Sequence, residues 1–501
     1  MRSWFSWTGF VATALLLPFA ASAADKPNVV VMLADDLGWA DVGYRGSDIE
    51  TPNLDALAAG GVRLDRLYVP PICSPTRAAL MTGRDPLRLG MAYFPIMTWS
   101  NKAVSPKERF LPQEFQAAGY QTGMVGKWHL GHTLEIQAPN ARGFDDFFGH
   151  LHTEVKYWQH TAQGGGHDLQ HNGKSVRREG RYLTDVHGEE AARFIEQRDP
   201  SKPFFLYVPF LAPHSPMEAP KKLIEKYADR SDPVQRIYAA MVDSLDQAVG
   251  TILAALESEG LTKNTIVVFL SDNGGPLMSG AQNTPLRGGK LTTFEGGVRV
   301  VGMIRWPAQL EAGQVSEQVM SAMDFYPTLA RAAGVTLSNE RPLDGRNQWQ
   351  ALSQGKAEPR EDDLFFVSES PVRSPYQVAV LSGRWKLIQQ ISEGQASTTV
   401  TNMLFDVVAD PSETNDLSAE HPERVAELAE RIRVRRALHP VAGQRVEIAP
   451  HPGWRSPKDW AAALLPADET ILDTGVIYQS QERVIENLQK GYGDRGRVYI
   501  D

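Results

Sequence analysis

Uninterrupted apolar, β-branched runs recur along the chain at 28–34, 204–208 and 265–270. A run without polar alternation is the pattern of a strand buried on both faces. Between these runs, residues 184–197 carry apolar positions at helical spacing (Val186, Ala191, Phe194, Ile195), and 237–256 predicts a long amphipathic helix. Shorter segments predict a helix at 51–58, a strand at 62–68, a helix at 111–118, a strand at 121–125 and a helix at 324–333. Strands alternating with helices imply an α/β fold with a mostly parallel sheet between helices. Past about residue 350 the apolar runs shorten (377–381, 385–389, 403–406) and a helix follows at 424–433. We read 24–350 as one large domain and 351–501 as a smaller α+β domain with an antiparallel sheet and an irregular tail after Pro440.

The N-terminus changes the picture. Arg2, an apolar stretch through Leu17 and the small-residue sequence Ala21-Ser22-Ala23 make residues 1–23 a predicted secretory signal peptide. The mature chain is then exported, periplasmic or secreted, and no later stretch is expected to approach the length of a membrane span. A net charge of −9 argues against nucleic acid as a partner. It leaves room for an anionic substrate held by a local cluster of cations. Cys73 is the single cysteine, so no intrachain disulfide forms.

Candidate chemistry lies where the predicted strands end. Asp35 and Asp36 follow the first run, and Asp272-Asn273 follows 265–270; both pairs offer oxygen ligands to a hard cation. Lys127-Trp128-His129 follows the 121–125 strand, with Lys127 and His129 expected on one side and Trp128 on the other. His214 comes shortly after 204–208, and Lys290 closes the glycine-rich Pro285-Leu286-Arg287-Gly288-Gly289-Lys290. Taken singly, each has an ordinary reading as a turn, a cap or a surface residue. Four such groups at strand ends share one place, because sites in open α/β sheets form outside the strands' carboxyl ends. Cys73 precedes Ser74, an expected N-cap, and Pro75, so it is expected just ahead of a helix N-terminus with Arg77 one turn on. A small buried hydrophobe is the other reading of a free cysteine.

Cys73-Ser74-Pro75-Thr76-Arg77, continued by Thr82-Gly83-Arg84, resembles the Cys-x-Pro-x-Arg signature of the type I sulfatases. The likeness runs from about Asn28 to about Glu420, and its wording is similar to the branch containing N-acetylgalactosamine-4-sulfatase (arylsulfatase B), without that enzyme's other cysteines. It implies an alkaline-phosphatase-like fold. It also implies oxidation of Cys73 to formylglycine by a separate maturation enzyme, with the hydrated aldehyde as nucleophile and Arg77 holding it. One Ca²⁺ is implied at Asp35, Asp36, residue 73, Asp272 and Asn273. Lys127, His129, His214 and Lys290 are implied around the sulfate, with His214 or Lys290 as acid toward the leaving alcohol and His129 as base. Sulfated sugars of a polysaccharide or glycosaminoglycan are the expected substrates, with aryl sulfates as surrogates.

Three alternatives stay open: a phosphate or phosphonate monoester hydrolase of the same superfamily, a non-catalytic glycan-binding protein, and a thiol hydrolase using Cys73 itself. The segment 144–171 holds five of the 12 histidines (His150, His152, His160, His167, His171) in no recognised metal spacing, and predicts a surface insert.

Overall fold

The strand Asn28–Ala34 is buried along its whole length and splits its side chains between two cores. Val29, Val31 and Leu33 join one apolar cluster; Val30, Met32 and Ala34 join the other. This is the alternation that a strand covered on both faces requires. The computed structural model describes residues 26–438 and 454–466, apart from residues 94, 339, 371–372 and 394–396. The predicted signal peptide at 1–23 and most of the tail after Pro440 lie outside the described residues.

Asn28–Ala34 sits inside a 10-stranded sheet. It pairs in parallel with Phe204–Pro209 on one side and Thr265–Ser271 on the other. Phe204–Pro209 pairs in parallel with Gln121–Lys127, which pairs in parallel with Asp146–His150. Beyond this five-stranded centre the sheet continues with Gly302–Arg305 on one side and Gln170–His171 on the other, each joining it antiparallel. On one face the helices Pro52–Ala59, Leu183–Gln197 and Pro233–Ser258 contribute Leu54, Ile195 and Val242 to the core. On the other, Cys73–Thr82, Leu111–Ala117 and Phe325–Ala332 contribute Leu80, Phe115 and Leu329. The fold is therefore the expected mostly parallel, alkaline-phosphatase-like sheet sandwiched by helices.

A second, four-stranded antiparallel sheet follows, in the order Leu364–Ser370, Arg373–Ser382, Trp385–Glu393, Thr398–Asp406. The helix Pro422–Arg436 covers one face through Leu428 and Ile432, packed with Val378, Val380 and Leu387. Phe366, Ala379 and Ile388 on the other face continue the core of the large sheet.

Four expectations need correction. The 62–68 strand is two short strands, Val62–Leu64 and Leu67–Tyr68, which belong to different sheets. The helix at the cysteine starts at Cys73 itself, with Ile72 rather than Ser74 as N-cap. Pro233–Ser258 is long and apolar enough to cross a membrane, but 72% of its most apolar window is buried, so it is a core helix. The 144–171 segment is not a surface insert, since His150, His152 and His160 are completely buried and His167 nearly so.

That burial has a pH consequence. Burial first of all drives His132, His150, His152, His160 and His187 below the ordinary histidine value, His152 and His187 to about 3. Burial likewise pushes Asp41 up to about 6 and Asp168 and Glu413 up to about 7. Between about pH 7 and 5.5 the unfolded chain protonates these imidazoles, while the folded chain protonates the three carboxyls. With His129, His214 and Asp272 included, seven imidazoles outnumber the four carboxyls raised to about 6 or 7, so the unfolded state binds more protons and stability rises with pH. The thermal midpoint is expected to be lower at pH 5.5 than at pH 7. A higher midpoint in acid, by calorimetry, contradicts this balance.

Candidate active site

In the parallel centre of the sheet, neighbouring strands finish at one edge, and the polar residues that follow them converge. Asp35 and Asp36 leave Asn28–Ala34, Asp272 and Asn273 leave Thr265–Ser271, and Lys127 ends Gln121–Lys127. His214 arrives five residues after Phe204–Pro209. Asp36 and His129 adopt φ of 76° and 59°, a left-handed backbone worth about 1–3 kcal/mol of strain each. Such strain in non-glycine residues at strand ends marks positions held for chemistry. Gly126, one residue before Lys127, runs so close to the neighbouring strand that a Cβ there would lie 2.0 Å from the Pro209 carbonyl oxygen.

Cys73, Arg77, Lys127, His129, Asp35, Asp36, Asp272 and Asn273 are all buried. The side chains of His214 and Lys290 keep 10% and 15% exposure, so the opening lies on their side. Cys73 Sγ is 3.4 Å from His129 Nδ1, and His129 Nε2 is 2.8 Å from the Ile96 carbonyl oxygen. A carbonyl accepts, so Nε2 carries the proton and Nδ1 presents its lone pair to residue 73. Burial, then the charge of Lys127, holds the His129 pKa well below the usual value, so the ring stays neutral. His214 is set in the same way, donating from Nδ1 to Ser215 O at 2.7 Å and leaving Nε2 free, 3.8 Å from Asp36 Oδ2. Trp128 points away, as expected, and packs between Phe110 and Phe144.

Arg77 is tied to the strand ends. It donates from Nε and Nη2 to Asp272 Oδ2 at 3.1 and 2.9 Å, from Nη2 to Asp35 Oδ2 at 3.1 Å and from Nη1 to Lys127 O at 2.9 Å. Its donors thus brace the carboxylates and the Lys127 strand end. Lys127 Nζ pairs with Asp35 Oδ2, and Lys290 Nζ lies 2.7 Å from Asp36 Oδ1. Asp35 is held far below the usual carboxylate range: burial opposes ionisation, but Lys127, His214, Arg77 and Lys290 outweigh it. Burial and the Asp35 charge push Asp272 up to about 7. Burial pushes the Cys73 thiol up to about 11, against the pull of Lys127, so the sulfur is a thiol at neutral pH despite its place at a helix start.

The donor set fits a hard cation. Asp35 Oδ1 and Asn273 Oδ1 are buried and accept no hydrogen bond, which leaves two oxygens on adjacent strand ends available to a metal. Ligand atoms of Asp35, Asp36 and His214 lie within 4.8 Å of one another. Three carboxylates (Asp35, Asp36, Asp272) face three permanent cations (Arg77, Lys127, Lys290), so a divalent ion makes the cluster net positive and receptive to an anion. This buried cluster, beside a single buried cysteine, is consistent with the calcium and formylglycine architecture of the sulfatases.

One organising residue escaped the sequence reading. Asn283 accepts from Trp39 N at 3.2 Å and Gly275 N at 3.1 Å, and donates to Gly275 O at 2.8 Å and Gly288 O at 3.1 Å. It ties together the segments that carry Asp36, Asn273 and Lys290. Locally it reads only as an Asn before a Thr-Pro turn.

Comparison with known proteins agrees with this geometry. The Sulfatase family profile matches residues 27–335, and the profile for the C-terminal part of N-sulphoglucosamine sulphohydrolase matches 289–437. Arylsulfatase J of Mus musculus is 34% identical over 83% of this chain and 77% of its own length. N-acetylgalactosamine-6-sulfatase of Homo sapiens is 35% identical over 67% of this chain and 68% of its own. The solved structure of Ps i-CgsB in complex with k-i-k-neocarrahexaose is similar with a TM-score of 0.76 at 33% identity, covering 84% of this chain and 95% of that one. These likenesses correct the expected branch, placing the chain with arylsulfatases A and J and N-acetylgalactosamine-6-sulfatase rather than with the 4-sulfatase. Fold, strand-end cluster and relatives agree: the chain belongs to the type I sulfatase family and is an arylsulfatase-type hydrolase.

Proposed function

We propose that this enzyme hydrolyses sulfate monoesters of sulfated sugars, using a formylglycine formed from Cys73 and one Ca²⁺ held by Asp35, Asp36, residue 73, Asp272 and Asn273. The observation that carries the reading is the convergence of Cys73, His129, His214, Lys127 and Lys290 on one acidic cluster with two spare oxygens. The ion would supply charge at the sulfate oxygens, and the hydrated aldehyde would supply the nucleophilic oxygen.

The chain's own groups do the rest. Lys127 and Lys290 neutralise charge on the spectator oxygens from fixed positions in a site screened from water. His129 Nδ1, neutral and facing residue 73, is placed to take a proton from that residue's side chain. On the open side, Lys290 Nζ carries a proton for the departing alcohol, and His214 Nε2 can deliver one only after its ring has taken up a second proton. Arg77 keeps Asp35 and Asp272 in register. Carbohydrate as the substrate class is supported by N-acetylgalactosamine-6-sulfatase and by the carbohydrate bound to Ps i-CgsB. We also propose export through residues 1–23 and maturation by a separate formylglycine-generating enzyme.

The test compares paired aryl sulfate and aryl phosphate esters, then sulfated and desulfated oligosaccharides. Sulfate esters are expected to show the larger kcat/KM, with free sulfate released from the oligosaccharides. Preference for the phosphate would favour the phosphomonoesterase reading instead.

A further inference from the structure

Lys290 has to carry its ammonium from a surface loop to a buried cluster, and a long flexible side chain does this only if its backbone is fixed. On the large-domain side, Lys290 N donates to Gly275 O at 3.3 Å and Leu291 N to Pro71 O at 3.0 Å. The opposite side of the loop is gripped by the C-terminal part of the chain. Ser368 Oγ donates to Leu291 O, and Gln377 Oε1 accepts from Thr293 N at 2.9 Å. Glu413 Oε2 accepts from Glu295 N at 2.6 Å. Leu291, the residue after the lysine, is held at φ 67°, and Glu413 at φ 51°.

Beneath this grip lies a wholly buried charge group that the catalytic reading does not use. Lys386, Glu295 and Glu413 have no exposed side-chain surface. Lys386 Nζ lies 2.9 Å from Glu295 Oε1 and 3.0 Å from Glu413 Oε1, and Tyr68 donates to Glu295 Oε2 at 3.0 Å. A lysine buried between two carboxylates is hard to justify by stability, because desolvation offsets most of the attraction. It does specify one geometry. Here it locks the loop's far end, Glu295, to the strand Trp385–Glu393 and to the loop after the sheet.

We propose that Ser368, Gln377, Lys386 and Glu413 are positioning residues that aim Lys290 at the sulfate, so that the C-terminal sheet completes a site built on the large one. This rests on the reading of Lys290 as a substrate-contacting cation.

A double-mutant cycle tests it on the full matured enzyme, with Gln377→Leu, Lys290→Ala and the pair. The substrates are aryl sulfates with phenols of low and high pKa. Gln377→Leu, which keeps volume but removes the acceptor, is expected to lower kcat/KM about tenfold, more on the poorer leaving group. In the Lys290→Ala background its effect is expected to shrink to about twofold or less. Gln377→Glu, which restores an acceptor oxygen, is expected to recover most of the loss, and Ser368→Ala should reproduce the pattern in milder form. An equal loss with and without Lys290, or no loss in either single clamp variant, overturns the inference. Full activity in Lys290→Ala would instead overturn the reading of Lys290 and the clamp's purpose with it.

Discussion

Cys73→Ala is expected to abolish turnover, lowering kcat on an aryl sulfate by roughly 10⁴-fold or more, as loss of a covalent nucleophile does. The fold should hardly notice. Residue 73 is the first helical residue, its Sγ touches only His129 Nδ1 as a polar partner, and trimming one buried atom costs about 1 kcal/mol. The thermal midpoint therefore stays close to that of the parent while activity vanishes. The mass of the tryptic peptide that contains position 73 reads the same question from the other side. An aldehyde in place of the thiol in active protein establishes the nucleophile; an unmodified cysteine in active protein sinks it. A thiol-blocking reagent separates the two chemistries, since it silences a thiol hydrolase and leaves a formylglycine enzyme working.

Asp35→Asn is expected to remove both activity and stability. Asp35 is the acidic partner of Lys127 and shares Arg77 with Asp272, all at zero exposure. The amide keeps the shape but leaves a buried ammonium without its counter-charge, at about 3–5 kcal/mol. It also withdraws one anionic oxygen from the proposed Ca²⁺ site, so calcium should no longer raise the melting temperature. The double variant Asp35→Asn/Lys127→Met distinguishes these effects. Removing the orphaned ammonium should restore most of the stability, because a buried pair deleted as a unit is nearly neutral, yet activity stays lost. If the double variant is as unstable as Asp35→Asn, the pairing is not what holds this part of the core. If Asp35→Asn retains turnover, the strand-end cluster is not the catalytic centre.

The central strands were readable because burial on both faces leaves a local mark. Nothing polar interrupts 29–34 or 266–270, and the first charged residues after them fall at the edge where parallel strands finish together. That is why Asp35, Asp36, Lys127, His214, Asp272 and Asn273 could be singled out and grouped. The family signature at Cys73 added a role that spacing cannot supply.

Other features left no such mark. The 62–68 segment looks like one strand, and only pairing with two different sheets cuts it at Asp65-Arg66. The histidines of 144–171 are polar by composition, and the burial of His152 against Trp460 and of His150 against His187 of the helix Leu183–Gln197 is a long-range fact. Sequence alone settled the fold class, the residues at the strand ends and the family, because these follow from local periodicity and a contiguous motif. The tertiary structure alone decided that Arg77 braces carboxylates, that His129 turns Nδ1 toward Cys73, and that the C-terminal sheet grips the Lys290 loop. Each of those depends on partners 33 to 195 residues apart, brought together by the folding of the large sheet for Arg77 and His129 and by the packing of the second sheet for the Lys290 loop.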